Sequence, residues 1–337
     1  MHLKKQNTRR IAIALLLAIL LLAILPSCEK QEMRGYTLYG SFDTVTTLTY
    51  YGTEKRGEEF SARVAELLQH YHRLYDIYSD YPETNNLKTL NDMAGIAPVT
   101  LSPEILDLLT YGLEIDRLTD GACRITYGAV LSIWHKYREE GKEIPPEALL
   151  SEAAKHTSPD LLVIDRAAGT AYITDAEASI DVGAIAKGYA VEAITQTLIS
   201  EGYTYFSINV GGNLRLVGDV DREVGIRDPE GSSLLLSFPM ASGSLVTSGN
   251  YERFYTVGGV RYHHLIDPET AMPSTHWASV SILTENGALA DALSTALFML
   301  DYDSALSLLE SIDAKVEALW VSPSGEIYAT EGFPTEN

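Results

Sequence analysis

The chain has 337 residues, 46% of them hydrophobic, which is enough to bury a large core in one domain or two closely joined ones. Its formal net charge of −21 at pH 7 excludes a protein that tracks a nucleic-acid backbone, because that task needs Lys and Arg. No nucleic-acid partner is expected.

The chain opens on "MHLKKQNTRR", with Lys4, Lys5, Arg9 and Arg10, followed by an unbroken apolar run from Ile11 to Leu25 and then "PSC". A basic segment, an apolar segment and a small-residue cleavage site make an export signal. The run is shorter than the ~20 residues of a membrane-spanning helix. "LPSC" resembles a bacterial lipobox, so Cys28 is expected to be lipidated and to become the new N-terminus, the alternative being an uncleaved anchor. The predicted layout is a leader over residues 1–27, a tether over 28–35 and one domain over 36–331. The protein would be exported and lipid-anchored at the outer face of a bacterial cell membrane. Cleavage removes four positive charges and no acid, and with Cys28 lipidated, Cys123 is the only thiol left, so no intramolecular disulfide can form.

"GYTLYGSFDTVTTLTYYG" predicts an early strand pair, rich in Thr, Tyr and Val and bounded by Gly. Val64, Leu67, Leu68, Tyr71, Leu74 and Tyr75 then recur at helical spacing and predict a long amphipathic helix, on which His70 and His72 read as ordinary surface or half-buried residues. A second helix starts at Ser102 and Pro103 and stops before Gly121. A connector with one short helix and a hairpin over "LLVIDRAAGTAYITD" follow, then a strand ending at Asp181 and a helix beginning near Ala184. Short β-runs fill Tyr203 to Leu283, and a helical pair and a last hairpin close the chain. The fold class is α+β, with mixed sheets and packed helices.

Asp291 and Thr295 stand four apart on a helix, which puts a carboxylate and a hydroxyl on one face. Hard oxygen donors of this kind suit Mg²⁺, although the pair by itself is also an ordinary helical arrangement. In "DVGAIAKGYA" a glycine-containing turn leads into a helix with Lys187 near its start, a geometry that lets backbone groups approach a phosphorylated ligand. It is neither a P-loop nor a dinucleotide fingerprint. In "RYHHLIDPET", His263 and His264 are adjacent at an apparent strand end and point to opposite faces, which counts against a paired zinc set with Asp267.

The blocks "FDTVTTL", "TDGACRITYG", "IDVGAIAKGYAVE", "INVGGNLR", "VTSGNYERF", "YHHLIDPETAMP" and "ADALSTALFML" stand in the order and at about the spacing of the ApbE-like FAD:protein FMN transferases. From Phe42 to Leu300 the chain resembles that family of exported, often lipidated, Mg²⁺-dependent enzymes, whose architecture is T-fold-related. The resemblance implies that FAD is the substrate, that its diphosphate is split, and that FMN passes to a Thr or Ser hydroxyl of a target protein with release of AMP. The target would be a membrane-associated electron-transfer subunit. Some members hydrolyse FAD to FMN and AMP instead, and a flavin-binding lipoprotein without turnover is a further alternative.

Carried over by motif, the metal falls to the Ala184 carbonyl and the Asp291 and Thr295 side chains. Flavin and adenine contacts fall to Phe42, Tyr78, Ala122, Cys123, Arg124, Asp181, Lys187, Ile266 and Ser294. His264 matches the family's functional histidine, and Asp291 and His264 form the catalytic set. The chain departs from the family where Phe42-Asp43-Thr44 replaces Met-Gly-Thr, where "GACR" replaces Gly-Ala-Phe-Asp, and where "DPETA" replaces Asp-Pro-x-Thr-Gly.

Overall fold

A computed structural model describes residues 30–335. The leader and Cys28 lie outside the described residues. In chain order the elements are β1 (Glu32–Ser41), β2 (Thr44–Gly52), α1 (Glu54–Tyr75), α2 (Leu87–Asp92), β3 (Val99–Thr100), α3 (Pro103–Leu118), α4 (Gly128–Glu140), α5 (Glu147–Ala153), β4 (Leu162–Asp165), β5 (Thr170–Ile173) and α6 (Ala186–Ser200). Then come β6 (Phe206–Val210), β7 (Asn213–Val217), β8 (Arg222–Arg227), β9 (Leu234–Met240), β10 (Gly243–Gly249), β11 (Phe254–Val257), β12 (Val260–His263), β13 (Ser279–Thr284), α7 (Gly287–Met299), α8 (Tyr302–Glu310), β14 (Val316–Val321) and β15 (Ile327–Ala329).

One antiparallel sheet in the order β1-β2-β6-β7-β10-β13-β14-β15 organises the molecule. Three helices cover one face, with α1 over β1 and β2, α6 over β6 and β7, and α7 over β10 and β13. The covering is hydrophobic because both partners present apolar residues at their own period. Phe60, Val64 and Leu68 of α1 meet Leu48, Phe206 and Ile208 of the sheet, while Leu293, Leu297 and Phe298 of α7 meet Val246, Val280, Ile282 and Trp320. Removing one such side chain, as in Phe206→Ala, costs about 3–5 kcal/mol. Leu216, Leu245 and Leu319 point to the opposite face, where the β8–β9 hairpin covers them with Val224, Ile226 and Phe238. A further core gathers α2, α3 and the small sheet β3-β5-β4 behind α6 and α7.

Three expectations need correction. Residues 178–181 form no strand: the Asn91 side chain takes both backbone groups of Ile180 (2.9 and 2.7 Å), and the Asp181 amide donates to the Ile125 carbonyl (2.8 Å). The segment is extended, but side chains and loop backbone replace a partner strand. The tether is shorter than residues 28–35, because β1 pairs with β2 from Glu32 opposite Gly52. The domain also runs past 331, since Phe333 is buried edge-on against Phe238.

α7 is buried on all sides, with only Leu289 partly open. An apolar helix in that position is ordinary, so its three polar residues Asp291, Ser294 and Thr295 stand out, because buried polar groups must find partners.

Candidate active site

The site lies along one rim of the large sheet. β2 begins there at Thr44, β6 ends at Val210, β7 begins at Asn213, β10 ends at Gly249 and β13 begins at Ser279. Two hairpin loops stand side by side at this rim. In the β1–β2 loop Phe42 and Asp43 have φ of 55° and 50°, and in the β6–β7 loop Gly211 and Gly212 have 55° and 94°. Positive φ at both central residues is the type I′ pattern that matches strand twist. Gly211 is required there, since a Cβ would collide with the Thr44 hydroxyl.

Behind the rim, α6 and α7 approach so closely that a side chain at Gly188 would strike the Asp291 Cβ and the Gly287 carbonyl. Asp291 is 4% exposed, and its Oδ2 accepts the Gly188 amide at 2.7 Å. In a regular helix that amide would donate to Ala184, four residues back. It does not, and among the described residues no backbone amide donates to the Ala184 carbonyl. Burial raises the Asp291 pKa, while Lys187, the Gly188 amide and Asn213 oppose the rise. Thr295 follows one helical turn after Asp291 and is also buried. A buried carboxylate, a released carbonyl and a hydroxyl are all hard oxygen donors and fit a small divalent cation such as Mg²⁺.

A group of cations gathers round His264. Arg138 of α4, Lys187 of α6 and Arg253 of the β10–β11 turn make no salt bridge among the described residues, although the chain carries 46 acidic against 25 basic side chains. With such an excess of acid, three cations left together indicate a place made for an anion. His264 stands among them. Its pKa is pushed down to about 3 by burial first, then by Arg253, His263, Arg138 and Lys187. The ring is therefore neutral, and its Nδ1 is buried with no protein partner. Burial raises the Asp181 carboxyl against the pull of the Gly183 amide, His135, Arg253 and Arg138; Asp181 Oδ1 accepts that amide at 2.8 Å. Tyr78, 57% exposed, stacks on His135 at 5.3 Å, and His135 Nδ1 accepts the Arg138 guanidinium at 2.9 Å.

The two neighbouring histidines divide. His263, 6% exposed, ends β12 with Nε2 donating to the Ser274 carbonyl (2.9 Å) and Nδ1 accepting the Leu265 amide (3.3 Å). Its ring meets Phe298 edge-on, and burial pushes its pKa down to about 4. Asp267 is occupied in its own turn, accepting the Glu269 amide and the Thr270 hydroxyl. Among the described residues no three His, Cys, Asp or Glu side chains converge as a metal set, so the zinc alternative is not built.

Several of the expected contact residues have buried side chains. Cys123 is 1% exposed in the core, where burial raises its thiol pKa. The Ser294 hydroxyl is buried, donating to the Asp291 carbonyl (2.9 Å) and accepting from Ser248 (2.8 Å). Ile266 is buried and bridges Pro273, and Ala122 is partly buried in the same core as Cys123. Arg124 is paired with the buried Asp116 at 2.7 Å, so its charge is already neutralised. Phe42 is half-buried at the loop. The sequence reading passed over Arg138, His135 and Asn91 and left Arg253 without a role.

A profile of the ApbE family matches residues 42–320. The chain belongs to the ApbE family. It is 35% identical over 269 residues to the FAD:protein FMN transferase of Treponema pallidum, covering 73% of each chain. Against the FAD:protein FMN transferase of Klebsiella pneumoniae it is 25% identical, covering 80% of this chain and 84% of that one. The crystal structure of the ApbE protein of Thermotoga maritima superposes with a TM-score of 0.82 at 27% identity, over 90% of this chain and all of the other. Two departures from the family pattern now have a backbone meaning. Asp43 and Ala271 replace glycines of the family pattern, and both have positive φ (50° and 55°), where a glycine would sit without strain.

Proposed function

We infer that this chain is an exported, Mg²⁺-dependent FAD:protein FMN transferase. The observation that carries the reading is the Gly188 amide turned to Asp291: it leaves the Ala184 carbonyl open at the rim where Lys187, Arg138 and Arg253 gather without carboxylate partners. The family membership supplies the reaction class, and the site supplies donors for both halves of a cation–diphosphate pair.

Ala184, Asp291 and Thr295 would hold the Mg²⁺, which when bound offsets the charge of the diphosphate. Lys187, Arg138 and Arg253 bind the same anion from the protein side. An acceptor Thr or Ser hydroxyl then forms an O–P bond to the FMN phosphorus as the bridging P–O bond breaks and AMP leaves with the bridging oxygen. The hydroxyl proton passes to His264 Nδ1, which is neutral and unpartnered. Phe42 and Tyr78 flank the place of the flavin. Residues 1–27 act as the leader, and lipidation of Cys28 holds the enzyme at the outer face of the membrane, beside a membrane-associated electron-transfer subunit as acceptor.

The test is incubation with FAD, Mg²⁺ and a candidate acceptor subunit, followed by mass spectrometry. An FMN adduct on Thr or Ser with equimolar AMP is expected. Free FMN with AMP and no adduct would make the enzyme a hydrolase, and no AMP at all would remove the catalytic reading.

A further inference from the structure

The β1–β2 loop is a costly conformation for its sequence. Type I′ loops favour Asn and Gly, and a bulky aromatic residue with positive φ is an outlier that its surroundings must hold. Phe42 (φ 55°) and Asp43 (φ 50°) both depart from that preference. What holds them is one face of α1. Gln69 Nε2 donates to the Gly40 carbonyl (2.9 Å) and the Ser41 hydroxyl (2.8 Å), and one turn on, His72 Nδ1 accepts the Phe42 amide at 3.3 Å with its ring edge-on to the Phe42 ring.

The same histidine reaches the other wall of the site. Because Nδ1 accepts, the ring hydrogen is on Nε2, which lies 3.5 Å from the Tyr81 hydroxyl. Tyr81 in turn donates to Asp76 Oδ2 at 2.7 Å, and Asp76 Oδ1 accepts the amides of Tyr78 (2.7 Å) and Ser79 (3.1 Å). A continuous chain of hydrogen bonds therefore links the Phe42 amide to the Tyr78 amide, and every donor in it has an acceptor. His72 is thus not the ordinary surface residue that its helical position suggests.

We propose that His72 is a positioning residue of the FAD site, holding the strained Phe42–Asp43 loop by its backbone amide and tying it through Tyr81 and Asp76 to the Tyr78 loop. The proposal rests on the reading of Phe42 and Tyr78 as the two sides of the flavin place. It makes no claim of contact between His72 and substrate.

The test uses the full chain in detergent, with FAD affinity followed by flavin fluorescence and turnover by AMP release. His72→Leu removes the acceptor and should raise the Kd and KM for FAD roughly five- to tenfold, the effect of one lost hydrogen bond, with kcat within about twofold. His72→Asn places an oxygen acceptor close to Nδ1 but has nothing at the Nε2 position, so it should recover most of the affinity lost in His72→Leu while still giving up the link to Tyr81. The proposal is overturned if folded His72→Leu binds FAD as wild type does, if His72→Asn is as impaired as His72→Leu, or if kcat falls as far as kcat/KM. Should His72→Leu not fold, His72→Asn against His72→Gln decides, because the longer side chain carries its amide to the Nε2 position, away from the Phe42 amide. Equal KM values for that pair would overturn the proposal. A wild-type chain that neither binds nor cleaves FAD would overturn the functional reading as well, whereas an active wild type with indifferent His72 variants overturns this proposal alone.

Discussion

The Gly188 amide and the Asp291 carboxylate meet at 2.7 Å across a helix contact too close to admit any side chain at 188. Asp291 therefore has a structural task besides its place in the proposed metal site, and the two are separable. Asp291→Asn keeps an oxygen acceptor for the Gly188 amide but loses the charge. Its stability should stay within about 1 kcal/mol of wild type, while Mg²⁺-dependent AMP release falls more than about 100-fold. Asp291→Ala leaves a buried amide without an acceptor and should in addition lose about 1–3 kcal/mol in urea unfolding. Equal stability of the two variants would show that the hydrogen bond contributes nothing.

His263 is expected to matter for folding and not for rate. Its folded pKa of about 4 lies below the ordinary 6.5, so the fold favours the neutral ring. For a base depressed in this way the stabilisation is fully present above pH 6.5 and is lost as pH falls from there toward 4, by up to about 1.4 kcal/mol per pH unit. His264 is depressed further and titrates over the same range, so His263→Gln, which can still donate to the Ser274 carbonyl, should remove about half of that slope while leaving AMP release within about twofold of wild type. An unchanged acid slope would show that His263 is not the group being titrated.

That Asp291 and Thr295 share a helix face was legible in the sequence from their spacing, whereas the metal reading came from the family motif, and Lys187 was legible because it opens a helix after a glycine turn. Arg138 and Arg253 were not, since they are brought together only when α4 and the β10–β11 turn pack around β12, far apart in the chain. A faint signal existed for Arg138 alone: on its helix no acid stands three or four residues away, in a chain where acids outnumber bases. The strand expected before Asp181 failed for a related reason. Asn91 supplies to Ile180 the two hydrogen bonds that a neighbouring strand would have given, and no local pattern announces a side chain 89 residues away. The α+β class and the order of the main elements were recoverable because alternation and helical period are local properties.

The unpaired guanidinium groups lead to a third expectation. Arg138→Gln and Arg253→Gln should each raise the KM for FAD about tenfold, the range of a charge-assisted hydrogen bond to phosphate, and should weaken its dependence on ionic strength. The fold should tolerate both changes, because neither side chain has a carboxylate partner among the described residues that would be left behind. KM values unchanged in both variants, measured at low salt, would place the diphosphate elsewhere.

The last expectation concerns His264, whose pKa of about 3 in the free protein is set by burial and by the surrounding cations. A general base must be deprotonated, so activity is lost as pH falls through its pKa. In kcat/KM, which reports the free enzyme, no acid limb from His264 should appear near pH 6.5; it should lie far lower. In kcat, which reports the FAD complex, the bound diphosphate offsets Arg253, Arg138 and Lys187, and the limb should move up toward the ordinary histidine value. The same linkage requires that protonation of His264 strengthen binding of the anion, so the KM for FAD should fall with pH across the gap between the two limbs. Arg253→Gln removes one of the depressing charges and should raise the limb in kcat/KM. His264→Ala should lose about 100-fold or more in kcat and abolish the limb in kcat, with FAD affinity little changed. If instead the limb persists at the same pH in His264→Ala, the proton of the acceptor hydroxyl goes to another group, and His264 only orients the phosphate.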